Sequence, residues 1–267
     1  MPLAPLLAKY DQVLLDLDGC VWVGSTVIDG AAAAIAQLRA AGKTVGFVTN
    51  DSRRSPEEYV RKLWSLGVRA SLEEVVTAGA AMQHVLADRG AGAPTFVIGS
   101  RAVFRHVSDS GQRIVNGTER QAEAELVVVA GHDEFDFGEL TVATRAVLAG
   151  AQMIAADRDP TFPTDDGVSP GTGAIVAALE FATKREAHLV GKPDPQLFYT
   201  ALDRMDATAP TLVVGDRLDA DLAGAAAAGL DAAIVLTGVT SEEEARAAEN
   251  PSPVAIAPDL RSLVLGR

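Results

Sequence analysis

Val13-Leu14-Leu15-Asp16-Leu17-Asp18-Gly19 is an apolar run that closes on two aspartates and a glycine. A short apolar run bounded by a turn signal reads as a buried strand, and Asp18-Gly19 ends it. Side chains alternate along a strand, so the reading starts Asp16 and Asp18 on one side. Two carboxylates at the end of a buried strand are costly unless something cationic compensates them. The plainer alternative is a turn at Asp18-Gly19 with Asp16 as a cap.

Outward from this strand the chain alternates. A helix is predicted over Ala31–Ala41 with Gly42 as its stop, then a strand over Thr44–Thr49. Ser55-Pro56-Glu57-Glu58 opens a second helix, with Tyr59, Leu63, Leu66, Val60 and Trp64 at helical spacing. Ser71-Leu72-Glu73-Glu74 has capping-box form as well. The same grammar returns near the C-terminus: a strand at Leu189–Gly191, a helix from Asp194-Pro195 to about Met205, a strand over Thr211–Gly215, a helix over Asp221–Ala228 stopped by Gly229, and a strand over Ala232–Leu236. Strand–helix alternation implies a parallel sheet with helices on its faces. Between these halves lies a second α/β stretch, with strands over Thr95–Ile98, Leu126–Ala130 and Gln152–Ala155. Its longest irregular piece is Ala156–Gly171, and long loops of this kind are often lids or binding loops.

Three further clusters carry candidate chemistry. Thr49-Asn50 follows the second strand, where a hydroxyl and loop N–H groups can cradle phosphate oxygens. Gly191-Lys192-Pro193 puts a lysine after a strand, able to neutralise phosphate charge and hold a carboxylate. Gly215-Asp216-Arg217-Leu218-Asp219-Ala220-Asp221 crowds three aspartates at a strand exit, and hard cations such as Mg²⁺ take one or two carboxylates, waters and substrate phosphate. Each cluster has a plain reading: an ordinary turn, a solvent-facing loop lysine, a helix cap. Together they supply acid, hydroxyl, cation and acid at the carboxyl ends of predicted parallel strands, the edge where open α/β sheets bind ligands.

Composition excludes some partners. A formal net charge of -13 argues against a nucleic-acid surface and against anionic membranes. No apolar run reaches the roughly 18 residues of a membrane span. Cys20 is the single cysteine, so no internal disulfide forms, and the expectation is a cytoplasmic protein. Cys20 and Trp22 read as packing residues. His132-Asp133-Glu134 has ligand-type residues without a second cluster, and reads as a surface turn.

The set Asp16-x-Asp18-Gly19, Thr49-Asn50, Gly191-Lys192-Pro193 and Gly215-Asp216-x-x-x-x-Asp221 resembles the haloacid dehalogenase superfamily, in its type IIA, NagD-like branch. The resemblance runs through nearly the whole chain. Asp51 stands where Asn is more usual, and Cys20 where Val or Thr is. The family resemblance implies an α/β fold: a Rossmann-like parallel-sheet core over residues 1–79 and 184–267, with an inserted C2-type α/β cap over 80–183 that sets substrate specificity. It implies a Mg²⁺-dependent phosphatase of small phosphorylated metabolites: glycerol 3-phosphate, phosphoglycolate, and sugar, nucleotide or pyridoxal phosphates. Asp16 would be the nucleophile and Asp18 the acid–base. Gly19, Thr49, Asn50 and Lys192 would bind the substrate phosphate. Asp16, the Asp18 main chain and Asp216 would hold Mg²⁺, with Asp221 behind them. A homodimer through the cap is compatible with it. The alternative class is a signalling receiver phosphorylated on aspartate; Asp18, placed to activate water, and the long insert argue against it.

Overall fold

In the computed structural model, residues 3–164, 167–206 and 209–266 are described. The strands in chain order are β1 Gln12–Asp16, β2 Trp22–Val23, β3 Thr26–Val27, β4 Thr44–Thr49, β5 Val75–Thr77, β6 Pro94–Ile98, β7 Arg113–Ile114, β8 Leu126–Val129, β9 Gln152–Ala155, β10 Thr161–Thr164, β11 Gly167–Pro170, β12 His188–Leu189, β13 Thr211–Gly215, β14 Asp231–Val235 and β15 Ala255–Ala257. The chain divides into two compact units. One comprises Met1–Thr49, Pro56–Val76 and Lys192–Arg267; the other comprises Asn50–Ser55 and Thr77–Gly191.

The first unit is built on a six-stranded sheet in the order β15-β14-β13-β1-β4-β5. The pairs β1–β4, β1–β13, β13–β14 and β14–β15 are all parallel. Every residue of β1 is buried, as a central parallel strand covered on both faces requires. Leu7, Leu15, Leu38, Phe47, Tyr59, Leu63 and Leu260 belong to the core on one side. β1 ends at Asp16, two residues before Asp18, so the strand alternation that would put the two on one side does not reach Asp18. The helix over Pro56–Ser65 buries Tyr59 and Leu63 as its spacing predicts. Trp64 of the same stripe is 63% exposed, its indole N–H donating to the Ala70 carbonyl. The capping-box expectation at Ser71 fails: the Ser71 N–H does donate to Glu74, but β5 follows, not a helix. The next helix begins at Ala78 and is capped by Thr77.

The second unit carries a five-stranded sheet in the order β12-β9-β8-β6-β7, parallel throughout. The strand expected at Leu189–Gly191 for the first sheet is β12, which pairs with β9 of this one. Gly191 is the last residue of this unit, where the sequence reading closes the insert at residue 183. The expected irregular piece over 156–171 contains an antiparallel hairpin, β10–β11; residues 165–166 lie outside the described residues. Among the described residues no helix is long and apolar enough to cross a membrane.

Candidate active site

The residues that carry chemistry in the first unit gather at the carboxyl ends of β1 and β13. Asp16 is the last residue of β1, and Asp216 follows β13 directly. Lys192 Nζ donates to Asp16 Oδ1 at 2.5 Å and to Asp221 Oδ1 at 2.6 Å. Carboxylate oxygens of Asp16, Asp216 and Asp221 lie within 4.8 Å of one another, the one such group among the described residues. All four side chains are buried, Lys192 to 4% exposure.

Local geometry holds each group. After Arg217 the chain makes one π-helical turn, Leu218–Leu222, before the helix over Ala223–Ala227. That turn brings Asp221 back so that its Oδ2 accepts the Arg217 N–H at 3.1 Å. Arg217 pairs with Asp219 through two 3.0 Å bonds, so these two serve as structural neighbours. Asp216 Oδ2 accepts the Val239 N–H at 2.7 Å. Gly19 has φ +82°, and a Cβ there would stand 2.5 Å from Asp216 Oδ2; a Cβ on Gly238 would stand 1.8 Å from the same oxygen. Both glycines are therefore required by the closeness of backbone to carboxylate. Thr237 Oγ1 donates to the Gly19 carbonyl, tying the loop after β14 to the turn after β1. No motif signals Thr237, Gly238 or Val239 in the sequence, because their contribution is space and a main-chain N–H.

The electrostatics favour a cation. Burial pushes the Asp16 carboxyl well above the carboxylate range; Lys192 works against this, while Asp221 and Asp216 add to it. Asp216 is pushed up to about 6 by burial and then by Asp221. Burial alone pulls the Lys192 ammonium down, but Asp16 and Asp221 hold it well above its ordinary value. Three buried carboxylates face one ammonium, leaving two negative charges in excess when all ionise. Hard oxygen donors with that excess fit a hard divalent cation. Lys192 and any further positive charge at the site favour the ionised form of Asp16. Cys20 is buried in the core, and burial followed by the Asp16 charge pushes its thiol up, as a packing residue requires.

The other predicted residues fall as follows. Thr49 is buried and ends β4, one position past the Asp16–Val48 register pair. Asp18 is exposed, and its Oδ1 accepts the Trp22 indole N–H at 2.8 Å. The buried carboxylates Asp216 and Asp221 gather around Asp16. Asn50 belongs to the second unit, where its amide donates to Asp159 Oδ2 at 3.4 Å.

That unit has its own buried acid. Asp157 is pushed up to about 7 by burial and then by Asp159, while the Asp159 N–H and the Thr172 hydroxyl work the other way. Arg53 lies 3.4 Å from the ring centre of Phe162 in the β10–β11 hairpin, and its carbonyl accepts the Ser100 hydroxyl. His132 sets Nε2 against Glu139 at 3.1 Å, in the helix over Phe137–Leu148.

Comparison with known proteins agrees with this geometry. A haloacid dehalogenase-like hydrolase family model matches residues 13–113, and a HAD-hydrolase-like model matches residues 189–263. The D-glycerol 3-phosphate phosphatase of Mycobacterium tuberculosis is 41% identical over 96% of this chain and 71% of its own length. Chronophin of Mus musculus is 34% identical over 92% of this chain and 87% of its own. The crystal structure of glycerol phosphate phosphatase from Mycobacterium tuberculosis in complex with magnesium superimposes with a TM-score of 0.88 at 40% identity, covering 96% of this chain and 77% of that one. By family model, by sequence identity over nearly its whole length and by superposition, the chain belongs to the haloacid dehalogenase-like hydrolases, in their type IIA branch.

Proposed function

We propose that this protein hydrolyses small phosphate monoesters with Mg²⁺, through a phosphoryl group carried on Asp16. The observation that carries the proposal is Lys192 bridging Asp16 and Asp221 beside Asp216, at the end of the central strand. An Asp16 oxygen attacks phosphorus in line; the P–O bond to the alcohol breaks, and Asp18 gives the departing oxygen a proton. Asp18, now ionised, takes a proton from water. The resulting hydroxide attacks phosphorus, the bond to Asp16 breaks, and inorganic phosphate leaves. Lys192 and Thr49 hold the charge that develops on the equatorial oxygens. Mg²⁺ would be held by Asp16, the Asp18 carbonyl and Asp216, supplying neutralising charge to nucleophile and phosphoryl group. Both Asp221 oxygens are engaged, by Lys192 and by the Arg217 N–H, which supports a place behind those ligands.

We place substrate choice in the inserted unit, with the hairpin of β10 and β11 as its prime element. Glycerol 3-phosphate heads the candidates, on the name of the 41% identical relative. Phosphoglycolate and sugar, nucleotide and pyridoxal phosphates follow. A panel of these with phosphate release as readout is the direct test. Protein stripped with EDTA is expected to be inactive on all of them, to recover with Mg²⁺, and to fail with Ca²⁺, whose larger, looser coordination spoils in-line geometry. Turnover unaffected by EDTA would end the metal assignment, and silence across the panel the substrate class.

Gly238→Ala tests the carboxylate cradle. The new methyl group overlaps Asp216 and forces it to shift. The Mg²⁺ concentration for half-maximal activity is expected to rise at least about tenfold, in line with the loss of a supporting contact to a metal ligand. An unchanged Mg²⁺ dependence would show that Asp216 does not hold the ion.

A further inference from the structure

The turn that follows Asp16 carries an indole to the second aspartate. The Val21 and Trp22 N–H groups close on the Leu17 carbonyl at 2.8 and 3.2 Å, and the Gly19 N–H returns to the Trp22 carbonyl at 2.7 Å. From this frame Trp22 Nε1 donates to Asp18 Oδ1 at 2.8 Å. The donor is held on several sides. Trp22 is fully buried, and its ring is stacked on Tyr59 with centroids 6.1 Å apart and planes 8° apart. The Lys62 ammonium sits 3.9 Å from the Trp22 ring centre and donates to the Gly24 carbonyl at 2.9 Å. The acceptor, by contrast, is exposed. A charge-assisted hydrogen bond from a fixed donor narrows the staggered rotamers open to an aspartate.

We propose that Trp22 is a positioning residue for Asp18: its immobile N–H fixes Oδ1, and so fixes where the other carboxylate oxygen meets the leaving group and the attacking water. The proposal rests on Asp18 serving as the acid–base. The stack alone does not need the nitrogen, since a phenyl ring fills most of the same space. A buried indole N–H does seek a partner, so the bland reading is that Asp18 merely satisfies Trp22. The two readings differ in what the bond does for the reaction.

The test has a spectroscopic arm and a kinetic one. The chain has two tryptophans, so a ¹⁵N-indole spectrum of the metal-free protein holds two Nε1–H signals. Asp18→Ala is expected to move one of them and leave that of Trp64, which donates to the Ala70 carbonyl, in place. Two unmoved signals would overturn the proposal whether or not any Trp22 variant folds. In the kinetic arm, first-turnover release of the leaving group is followed in Trp22→Phe. Release from an alkyl phosphate, whose alkoxide must be protonated, is expected to slow about tenfold, while p-nitrophenolate release slows less than about twofold and KM stays within about twofold for both. Equal slowing of both, or no slowing of either, would leave Trp22 a packing residue only. Asp18→Asn distinguishes the underlying assignment. If that variant releases alcohol at the wild-type rate, the acid–base reading fails; if it slows while Trp22→Phe does not, the Trp22 proposal fails alone.

Discussion

Asp16→Asn is expected to lose at least about a thousandfold in turnover while melting, in EDTA, no lower than the wild type. The activity loss follows from chemistry: a carboxamide oxygen does not form a stable bond to phosphorus and regenerate, so the covalent route closes. Removing an essential nucleophile leaves what binding and electrostatics supply alone, and losses of this order or larger are usual. The stability follows from linkage. Burial raises the folded-state pKa of Asp16 above its ordinary 3.8. The native state then binds the Asp16 proton more tightly than the unfolded chain does. Ionising Asp16 therefore works against folding at pH values above the unfolded pKa, and the penalty grows until the folded pKa is passed. Asparagine has the same shape without that penalty, and Lys192 keeps Asp221 as an ion-pair partner. Phosphate release and a melting curve read the two effects separately. Acid-quenched wild type given radiolabelled substrate should carry label that the variant lacks. Turnover above about a tenth of wild type would end the covalent mechanism.

The parts of this design that sequence reveals are those that need particular chemical groups at fixed offsets. Asp16 after an apolar run, Lys192 after a short strand and Asp216 with Asp221 after another are legible because the chemistry names the residue type and the sheet edge names the place. What stays hidden depends on neighbours in space. Trp22 looks like core because it is core; its second role is visible only once its nitrogen is seen to face Asp18. Gly238 and Val239 contribute space and a backbone donor, which any loop sequence can offer. β12 pairs with β9 of the inserted sheet, and two residues carry too little pattern to say which sheet they join. Trp64 keeps helical spacing and is nonetheless exposed, since spacing fixes a face but not what covers it. The π-turn at Leu218–Leu222 brings Asp221 back to the Arg217 N–H, while the sequence reading starts a helix only at Asp221.

Lys192→Met should be costly in both stability and turnover, and the two losses should respond differently to Mg²⁺. Methionine keeps most of the aliphatic stem but removes the ammonium that bonds Asp16 and Asp221. Breaking a buried pair by deleting one partner costs about 3–5 kcal/mol, because the remaining charges are left uncompensated. Here the carboxylates can take up protons, so the cost should depend on pH. Asp216 already stands at about 6, and without the lysine the acids of the site bind protons more firmly still. The variant's deficit is therefore smallest near pH 5, where protons replace the lost ammonium, and grows as pH rises through about 6. Added Mg²⁺ supplies positive charge to the same carboxylates and should recover part of the melting temperature by mass action. It should not recover turnover, expected to stay down about a thousandfold, because the ammonium also stabilises charge that forms only in the transition state. Denaturant melts at pH 5 and pH 8, with and without Mg²⁺, separate these terms. A variant that is equally destabilised at both pH values, or one that regains wild-type turnover with Mg²⁺, would mean that Lys192 serves as a counter-ion to the folded site and has no part in the chemistry.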